Sequence, residues 1–287
     1  MAGKTGSIAR VAVVIVLSGL LALPGPAFAA ELEPETLAAF NHYVALTESS
    51  MDAGNFGQDD FLWVDRMTPS QRTAALARLR AGEVMIEQLK TLDHSKTIDV
   101  PNGMIHHWIG TVFIPGVTLS ETLAFLQDYD HQQEYFQPDV IHSKILRHEG
   151  NDYDVLLRLR KQKIVTVILE TEHEIHYQNA GVKRALSRSH TTRIQEVENA
   201  GKNNEFSRPA GQDDGYLWSM ITYWRFEERD GGTYVESQSI SLTRNIPAGL
   251  GWLVGPFVTS IPRESLTFTL STTRRTLLGR SGSHRAP

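Results

Sequence analysis

The chain has 287 residues, a formal net charge of -5 and a hydrophobic content of 41%. This composition supports a buried core but offers no basic face of the kind that nucleic-acid binding requires, so no nucleic-acid partner is expected. The sequence contains no cysteine, which excludes disulfides, thiol catalysis and cysteine metal sites.

Residues 1–29 have the pattern of a signal peptide. A basic start precedes an apolar run from Val11 to Leu23 that is short for a membrane span. The segment ends in an A-x-A motif, Ala27-Phe28-Ala29. We therefore predict cleavage after Ala29 or Ala30 and an exported mature protein, either periplasmic or secreted. The alternative is an uncleaved membrane anchor.

Residues 31–81 predict an N-terminal helical extension. Leu37, Phe40 and Val44 have helical spacing, and Thr68-Pro69 supplies a cap and a first-turn proline for a second helix. No chemistry is assigned to this extension, and we expect it to pack against the outside of the domain that follows.

Residues 82–278 predict strands in series, interrupted by a short helix with a capping box at Thr118 and Glu121. The links between the later strands are short, which favours antiparallel neighbours. One link is long and polar, from Glu198 to Gly215, and loops of this length are uncommon unless they are mobile or functional.

The strongest hairpin signal is Asp230-Gly231, because both residues tolerate the positive φ of a type I′ turn. A two-residue turn pairs large inner side chains with small ones: Trp224 with Ser237, Thr222 with Ser239, Met220 with Ser241. Trp218 and Phe226 are expected on the same inner face. Arg225 then meets Glu236 on the outer face, as a charge pair suited to solvent.

A long helix is predicted to follow the hairpin, with Ser260 as its cap and Pro262 in its first turn. Its apolar stripe consists of four residues at helical spacing: Leu266, Leu270, Thr273 and Leu277. Gly279 is expected to end the helix, leaving residues 279–287 as a disordered tail. The stripe must be buried, and the aromatic face of the hairpin is the nearest surface.

The most specific stretch is GGTYVESQSISLTRNIPAGLGWLVGPFVTSIPRESLTFTLSTTRRTLL, together with YLWSMITYWRFEER. These residues and the order of elements resemble the START-like, or SRPBCC, superfamily, in an exported bacterial branch. The resemblance covers roughly residues 82–278 and implies an α+β helix-grip fold, a curved antiparallel sheet around a long C-terminal helix. It implies a hydrophobic small molecule or lipid as ligand, no cofactor and no transferable catalytic residue. A monomer is expected.

The inner face of the segment from Ile164 to Tyr177 carries its odd-numbered residues, which place His173 and Tyr177 in an otherwise apolar wall. His173 is alternatively a hydrogen-bonded core residue. The predicted ligand-binding residues come from two strands, the hairpin and the helix: Val167, Leu169, His173, Tyr177, Trp218, Met220, Trp224, Phe226, Leu266 and Leu270.

Other polar residues leave two interpretations open. Arg188 either points inward toward an anionic head group or lies on a solvated outer face. His106 and His107 are adjacent in a strand and face opposite sides, and no H-E-x-x-H spacing occurs, so no metal site is predicted.

Three functions therefore remain. The first is a binding protein for a hydrophobic molecule, the second is a cyclase- or hydrolase-type enzyme using His173 and Tyr177, and the third is an envelope interaction domain whose cavity is filled by its own side chains. The sequence favours binding over catalysis. The apolar segment GLGWLVGPF is either a core plug or the hinge of a gate that makes transient membrane contact.

Overall fold

The computed structural model describes residues 30–53, 60–162, 166–246 and 251–284. The predicted signal peptide lies outside these residues. The helices are Pro34–Ala53 (α1), Pro69–Arg80 (α2), Leu119–Leu126 (α3), Gln132–Tyr135 (α4) and Gly251–His284 (α5). The strands are Ala30–Glu31 (β1), Met85–Gln88 (β2), Leu92–Asp93 (β3), Lys96–Thr97 (β4), Gly103–Pro115 (β5), Val140–Glu149 (β6), Asp152–Gln162 (β7), Thr166–Asn179 (β8), Arg184–Glu198 (β9), Phe206–Ser207 (β10), Gln212–Asp213 (β11), Ser219–Arg229 (β12) and Gly232–Arg244 (β13).

The main sheet has nine strands in the described part of the chain, with the order β2-β5-β13-β12-β9-β8-β7-β6 and β10 paired to β9. Every pairing in it is antiparallel, as the short links predict. Helix α5 packs on one face, which we call the inner face, and its stripe of Leu266, Leu270 and Leu277 is buried there beside Phe226. The predicted helix-grip α+β fold is confirmed.

The β12-β13 hairpin has the predicted turn and register. Asp230 has φ 57° and Gly231 has φ 76°, the positive values that a type I′ turn requires. Arg229 faces Gly232, and the remaining facing pairs, including Trp224 with Ser237, follow in the same register. The alternation of the two runs and the turn residues therefore determine this hairpin.

The opposite, outer face of the sheet is covered by the N-terminal extension. Phe40, Tyr43 and Val44 of α1 pack against Ile221 and Ile240 of the sheet. A second cluster joins the segment before α2, α2 itself and the sheet: Phe61, Leu62, Val64, Ala75, Leu79, Met85, Phe113 and Tyr234. The extension is thus part of the fold's core.

This covering corrects the expectation that the Arg225–Glu236 pair is exposed. The two side chains do face each other on the outer face, with Arg225 Nη1 2.9 Å from Glu236 Oε1, but they are only 5% and 0% exposed. Alternation along a strand identifies which residues share a face. It does not reveal that the extension covers that face.

Helix α5 is longer than predicted at both ends. It begins at Gly251 rather than at Ser260 and ends at His284 rather than at Gly279. Pro262 therefore lies inside the helix, where a proline costs one hydrogen bond but does not always end the helix. Gly279 is not among the glycines with positive φ, so it does not form the left-handed cap that was expected. In the GLGWLVGPF segment, Gly249 and Leu250 and all the side chains up to Phe257 lie outside the described part.

Candidate ligand cavity

A cavity of about 590 Å³ lies between the inner face of the sheet and α5. This volume is in the range of sites for small molecules. Strands β7 and β8 form one wall, strands β9, β12 and β13 form the floor, and the middle of α5 closes the other side. Beside the cavity, α5 packs closely on the sheet where the side chain of Leu270 approaches Gly110.

Most of the wall is apolar. Apolar lining residues from α3, β6, β7, β8, α5 and the segment after α4 include Leu126, Phe136, Val140, Leu157, Leu159, Val167, Leu169, Ile175, Ile261, Leu266 and Phe268. When such a wall covers the apolar surface of a ligand, the free energy of the complex falls, because apolar surface is removed from water.

The structure brings together a majority of the residues predicted to bind ligand. The predicted residues that do line the cavity are Val167, Leu169, His173, Tyr177, Met220, Trp224 and Leu266. Trp218, Phe226 and Leu270 are not among the lining residues.

Trp218 lies on the other side of the sheet. It is buried in the cluster that α1 forms on the outer face, and its Nε1 donates to Asp213 Oδ1 at 3.2 Å. The alternation that holds from Ser219 onward does not extend to Trp218, because β12 begins one residue later. The prediction that Trp218 faces inward is therefore wrong.

Phe226 and Leu270 face inward but fill space instead of lining it. Both are almost completely buried in the core between sheet and helix. Phe226 stacks against Trp224 with ring centroids 6.0 Å apart, so Phe226 supports the ring that does line the cavity.

His173 is a buried, hydrogen-bonded histidine. Its Nε2 lies 2.9 Å from Thr171 Oγ1 in the same strand. Burial, with a smaller contribution from His190, lowers the pKa of His173 to about 4, so the ring is neutral at pH 7. This environment matches the core interpretation of His173, although the ring also lines the cavity.

Tyr177 forms a separate polar contact. Its hydroxyl lies 2.8 Å from that of Tyr129, and burial raises the pKa of both phenols well above their ordinary value. His173 and Tyr177 thus hydrogen-bond to different partners and do not converge on one point.

A group of small hydroxyl residues on the floor was not predicted to bind ligand. They alternate along three strands with outward-facing residues: Ser187, Ser189, Thr222, Ser237, Ser239 and Ser241. The sequence did contain a signal, because the hairpin register places serines opposite large inner side chains.

Charged groups are few among the lining residues: Asp139, Lys161, Asp214 and Arg244. Lys161 forms an ion pair with Asp139, and Asp214 lies 3.4 Å from Arg208 Nη1. Arg244 forms no salt bridge with the residues that the structure describes.

Part of the long polar loop contributes to the cavity and is held by Glu196. The Glu196 carboxylate accepts hydrogen bonds from the backbone N–H of Asp214 at 3.1 Å and of Tyr216 at 3.4 Å. Burial, followed by repulsion from Asp213, raises the pKa of Glu196 to about 7. The residues that follow this loop therefore depend on a buried carboxyl group for their position.

Arg188 lies on the outer face. Its Nε donates to Glu48 Oε1 of α1 at 2.8 Å, and Tyr223 donates to the same oxygen. The interpretation that Arg188 meets an anionic head group inside the cavity is therefore wrong.

Two properties of the described residues bear on membranes and metal ions. None of their helices has both the length and the apolar character needed to cross a membrane. Their His, Asp and Glu side chains form no cluster of three or more that could hold a metal ion.

Comparison with known proteins gives structural likenesses alone. No family model matches the chain, and no curated protein matches it in sequence. A STAR-related lipid transfer protein fragment from Xanthomonas axonopodis aligns over 67% of this chain and 98% of its own, with 16% identity and a TM-score of 0.41. The Zhui aromatase/cyclase from Streptomyces sp. R1128 aligns over 62% and 96%, with 10% identity and a TM-score of 0.39.

Human STARD10 aligns over 76% of this chain and 86% of its own, with 8% identity and a TM-score of 0.40. All three TM-scores are low, so the fold is defined by the observed elements themselves. A large antiparallel sheet packs on a long C-terminal helix, with a cavity between them, and this arrangement is a helix-grip α+β fold.

Proposed function

We propose that the protein binds a hydrophobic small molecule or lipid between its sheet and helix α5. The observation that carries this proposal is the cavity of about 590 Å³ with its largely apolar wall. Covering the apolar surface of a ligand contributes about 25 cal/mol per Å² before the costs of ordering are subtracted. An open cavity of this size also argues against an interaction domain filled by its own side chains.

Copurification tests the proposal. The mature protein is purified and extracted with solvent, and the extract is analysed by mass spectrometry. Leu169→Trp, which adds volume inside the cavity, is expected to reduce the amount of bound molecule several-fold. Leu146→Trp is the matched control, because Leu146 is 47% exposed on β6. The proposal fails if no molecule is recovered, or if both variants retain it equally.

Export is part of the proposal and is supported by the signal-peptide pattern of residues 1–29. Ala30 pairs with Asp213 at the start of β1. Cleavage after Ala29 keeps this pair, whereas cleavage after Ala30 removes it, so the first site is favoured. N-terminal sequencing of protein from the cell envelope and medium tests this, and a chain beginning at Met1 would contradict it.

We further propose that ligand exchange includes a transient membrane contact through the GLGWLVGPF segment. The support is its sequence, in which Trp252, Leu253, Val254 and Phe257 form an apolar group at the start of α5. The double variant Trp252→Ser/Phe257→Ser is expected to slow ligand transfer from vesicles while its stability is retained. A core plug would instead lose several kcal/mol of stability, about the cost of removing large buried side chains.

The alternative of a cyclase- or hydrolase-type enzyme has no specific observation in its favour. His173 bonds to Thr171 and Tyr177 bonds to Tyr129, so the two polar residues that could act on a ligand are engaged separately. Binding without catalysis remains the proposed function.

A further inference from the structure

Strand β1 lies beside a buried aspartate of the long polar loop. Ala30 of β1 faces Asp213 of β11 in an antiparallel pair. Two residues further on, the N–H of Leu32 donates to the carbonyl oxygen of Gly211 at 3.0 Å. Bonded and non-bonded pairs alternate along an antiparallel ladder, so Ala30 and Asp213 also form a hydrogen-bonded pair. The backbone nitrogen of Ala30 therefore points at the main chain of Asp213.

One carboxyl oxygen of Asp213 has no partner. The residue is 1% exposed, and its Oδ1 accepts from the N–H of Gly215 at 2.8 Å and from Trp218 Nε1 at 3.2 Å. Its Oδ2 is buried and accepts no hydrogen bond from any residue that the structure describes. Burial raises the pKa of Asp213, and the bonds from Gly215 and Trp218 only partly offset this rise. A positively charged donor would satisfy both the oxygen and the buried charge.

The groups around Asp213 add mostly negative charge. Asp214 repels charge on Asp213, and both aspartates repel charge on the buried Glu196. Arg208 attracts Asp213, but its Nε donates to Glu198 at 2.8 Å and its Nη1 lies 3.4 Å from Asp214 Oδ1. Asp213 thus forms no salt bridge with the residues that the structure describes.

Cleavage of the signal peptide after Ala29 would create a charged donor beside Asp213. Hydrolysis of the Ala29–Ala30 amide by a peptidase consumes one water, whose hydroxyl goes to the carbonyl carbon of Ala29 and whose proton goes to the nitrogen of Ala30. The amine has an ordinary pKa of about 7.7–8.0 and takes up a further proton at neutral pH. The single N–H of the amide becomes an ammonium with three donors. One donor continues the strand pairing, which leaves two for the Asp213 carboxylate.

We propose that the α-ammonium group formed at Ala30 by this cleavage pairs with Asp213 and thereby fixes the segment 214–217 of the cavity wall. This inference rests on the cleavage after Ala29 that is part of the proposed function. All four residues of the segment line the cavity, and Asp213 holds the segment through the N–H of Gly215. Processing of the exported chain thus orders one part of the ligand cavity, and an uncleaved chain lacks this ion pair.

The pKa of the α-amino group tests the ion pair without any ligand. A chain that starts at Ala30, released from a fusion partner by a protease that leaves Ala30 first, is titrated by NMR. We expect this pKa to be at least about one unit above its ordinary value, because the carboxylate favours the charged amine. Asp213→Asn should return the pKa to its ordinary range. Glu31→Gln is the matched control, because Glu31 is exposed beside Ala30 and should shift the pKa by less than about half a unit.

Hydrogen exchange tests the effect on the cavity wall. Enzymatic acetylation of Ala30 removes the charge of the amine and leaves every residue unchanged. Acetylation should speed exchange of the Gly215 amide at least about tenfold, because the segment loses a charged support. The amide of Val235 in the β12-β13 hairpin should exchange at the same rate in both forms, which controls for global stability. This comparison needs no substitution and decides the question even if Asp213→Asn does not fold.

Three outcomes would overturn the inference while leaving the proposed ligand binding intact. The first is an ordinary α-amino pKa, the second is a raised pKa that persists in Asp213→Asn, and the third is equal exchange of the Gly215 amide in the two forms. N-terminal sequencing that finds Met1 or Glu31 as the first residue of the exported chain would reject the cleavage on which the inference rests. Copurification decides ligand binding separately.

Discussion

The outer face of the sheet is covered by the chain's own N-terminal residues, whereas the inner face leaves a cavity of about 590 Å³ beside α5. Polar groups are treated differently on the two faces. On the outer face, the buried Glu236 and Arg225 are paired, and on the inner face the serines of β13 have no protein partner in the described chain. The N-terminal residues cover the outer face, and the inner face borders a cavity.

Glu236 illustrates the outer face. Its carboxylate accepts from Arg225 Nη1 at 2.9 Å, from the backbone N–H of Trp63 at 2.8 Å and from Thr111 Oγ1 at 3.1 Å. Burial raises the pKa of Glu236, and these three donors oppose that rise. Such a charge is tolerated only while its partners are in place.

The largest expected effect breaks this arrangement. Glu236→Ala leaves the Arg225 guanidinium buried without its carboxylate and should lower the free energy of unfolding by about 3–5 kcal/mol. Urea denaturation followed by circular dichroism measures the loss. The double variant Arg225→Met/Glu236→Leu removes both charges and should recover most of it. A loss below about 1 kcal/mol for Glu236→Ala would contradict the assignment of this face as the structural one.

The second prediction concerns pH and the loop beside the cavity. The folded pKa of Glu196, about 7, lies above its ordinary value of 4.5, so the folded state favours the protonated carboxyl group. This contribution to stability is complete below about pH 4.5 and is lost as the pH rises through about 7. Glu196→Gln should therefore gain stability relative to the unmodified protein over this interval, by up to about 3 kcal/mol.

The difference between the two unfolding free energies, measured at several pH values, isolates Glu196. Burial lowers the pKa of His106, His107 and His173 to about 4. These three histidines change the stability of the variant and of the unmodified protein equally, so their effect cancels in the difference. A part of this free-energy difference that stays constant with pH reflects the changed hydrogen bonds of the glutamine amide at position 196. Parallel curves with no change of the difference between pH 4.5 and 7 would show that Glu196 does not titrate in this range.

The third prediction tests how α1 is attached. The Tyr43 hydroxyl lies 3.0 Å from His107 Nδ1 and accepts from the backbone N–H of Thr91 at 2.7 Å. Tyr43→Phe leaves the buried His107 and the half-buried Thr91 N–H without this partner and should cost about 1–2 kcal/mol in denaturant unfolding. Tyr216→Phe is the matched control, because Tyr216 is 45% exposed and should tolerate the change. Equal losses for the two variants would argue against a specific role for this contact.

The smallest expected effect sharpens the comparison on the inner face. Ser241→Ala removes a hydroxyl that has no hydrogen-bond partner among the described residues and should change the unfolding free energy by no more than about 0.5 kcal/mol. Thr111→Val on the outer face removes a hydroxyl bonded to Glu236 and should cost about 1–2 kcal/mol. If Ser241→Ala is as destabilising as Thr111→Val, the serines of the floor serve the fold and the distinction between the two faces fails.

Much of the architecture could be predicted from local patterns. Alternation and the Asp230-Gly231 turn gave the correct register of the hairpin, and helical spacing identified the buried stripe of α5. Seven of the residues predicted to bind ligand line the cavity, among them Val167, Leu169 and Met220. These features depend on contacts between residues that are close in the chain or directly paired, so the sequence carries them explicitly.

What covers each face was decided only by the tertiary structure. Alternation placed Arg225 and Glu236 together on the outer face, but their burial depends on residues more than 150 positions earlier in the chain, such as Trp63. Trp218 belongs to the cluster under α1 for the same reason. The sequence by itself determined which side chains share a face, because the backbone repeat is local. Only packing between distant segments determined which face is covered and which borders a cavity.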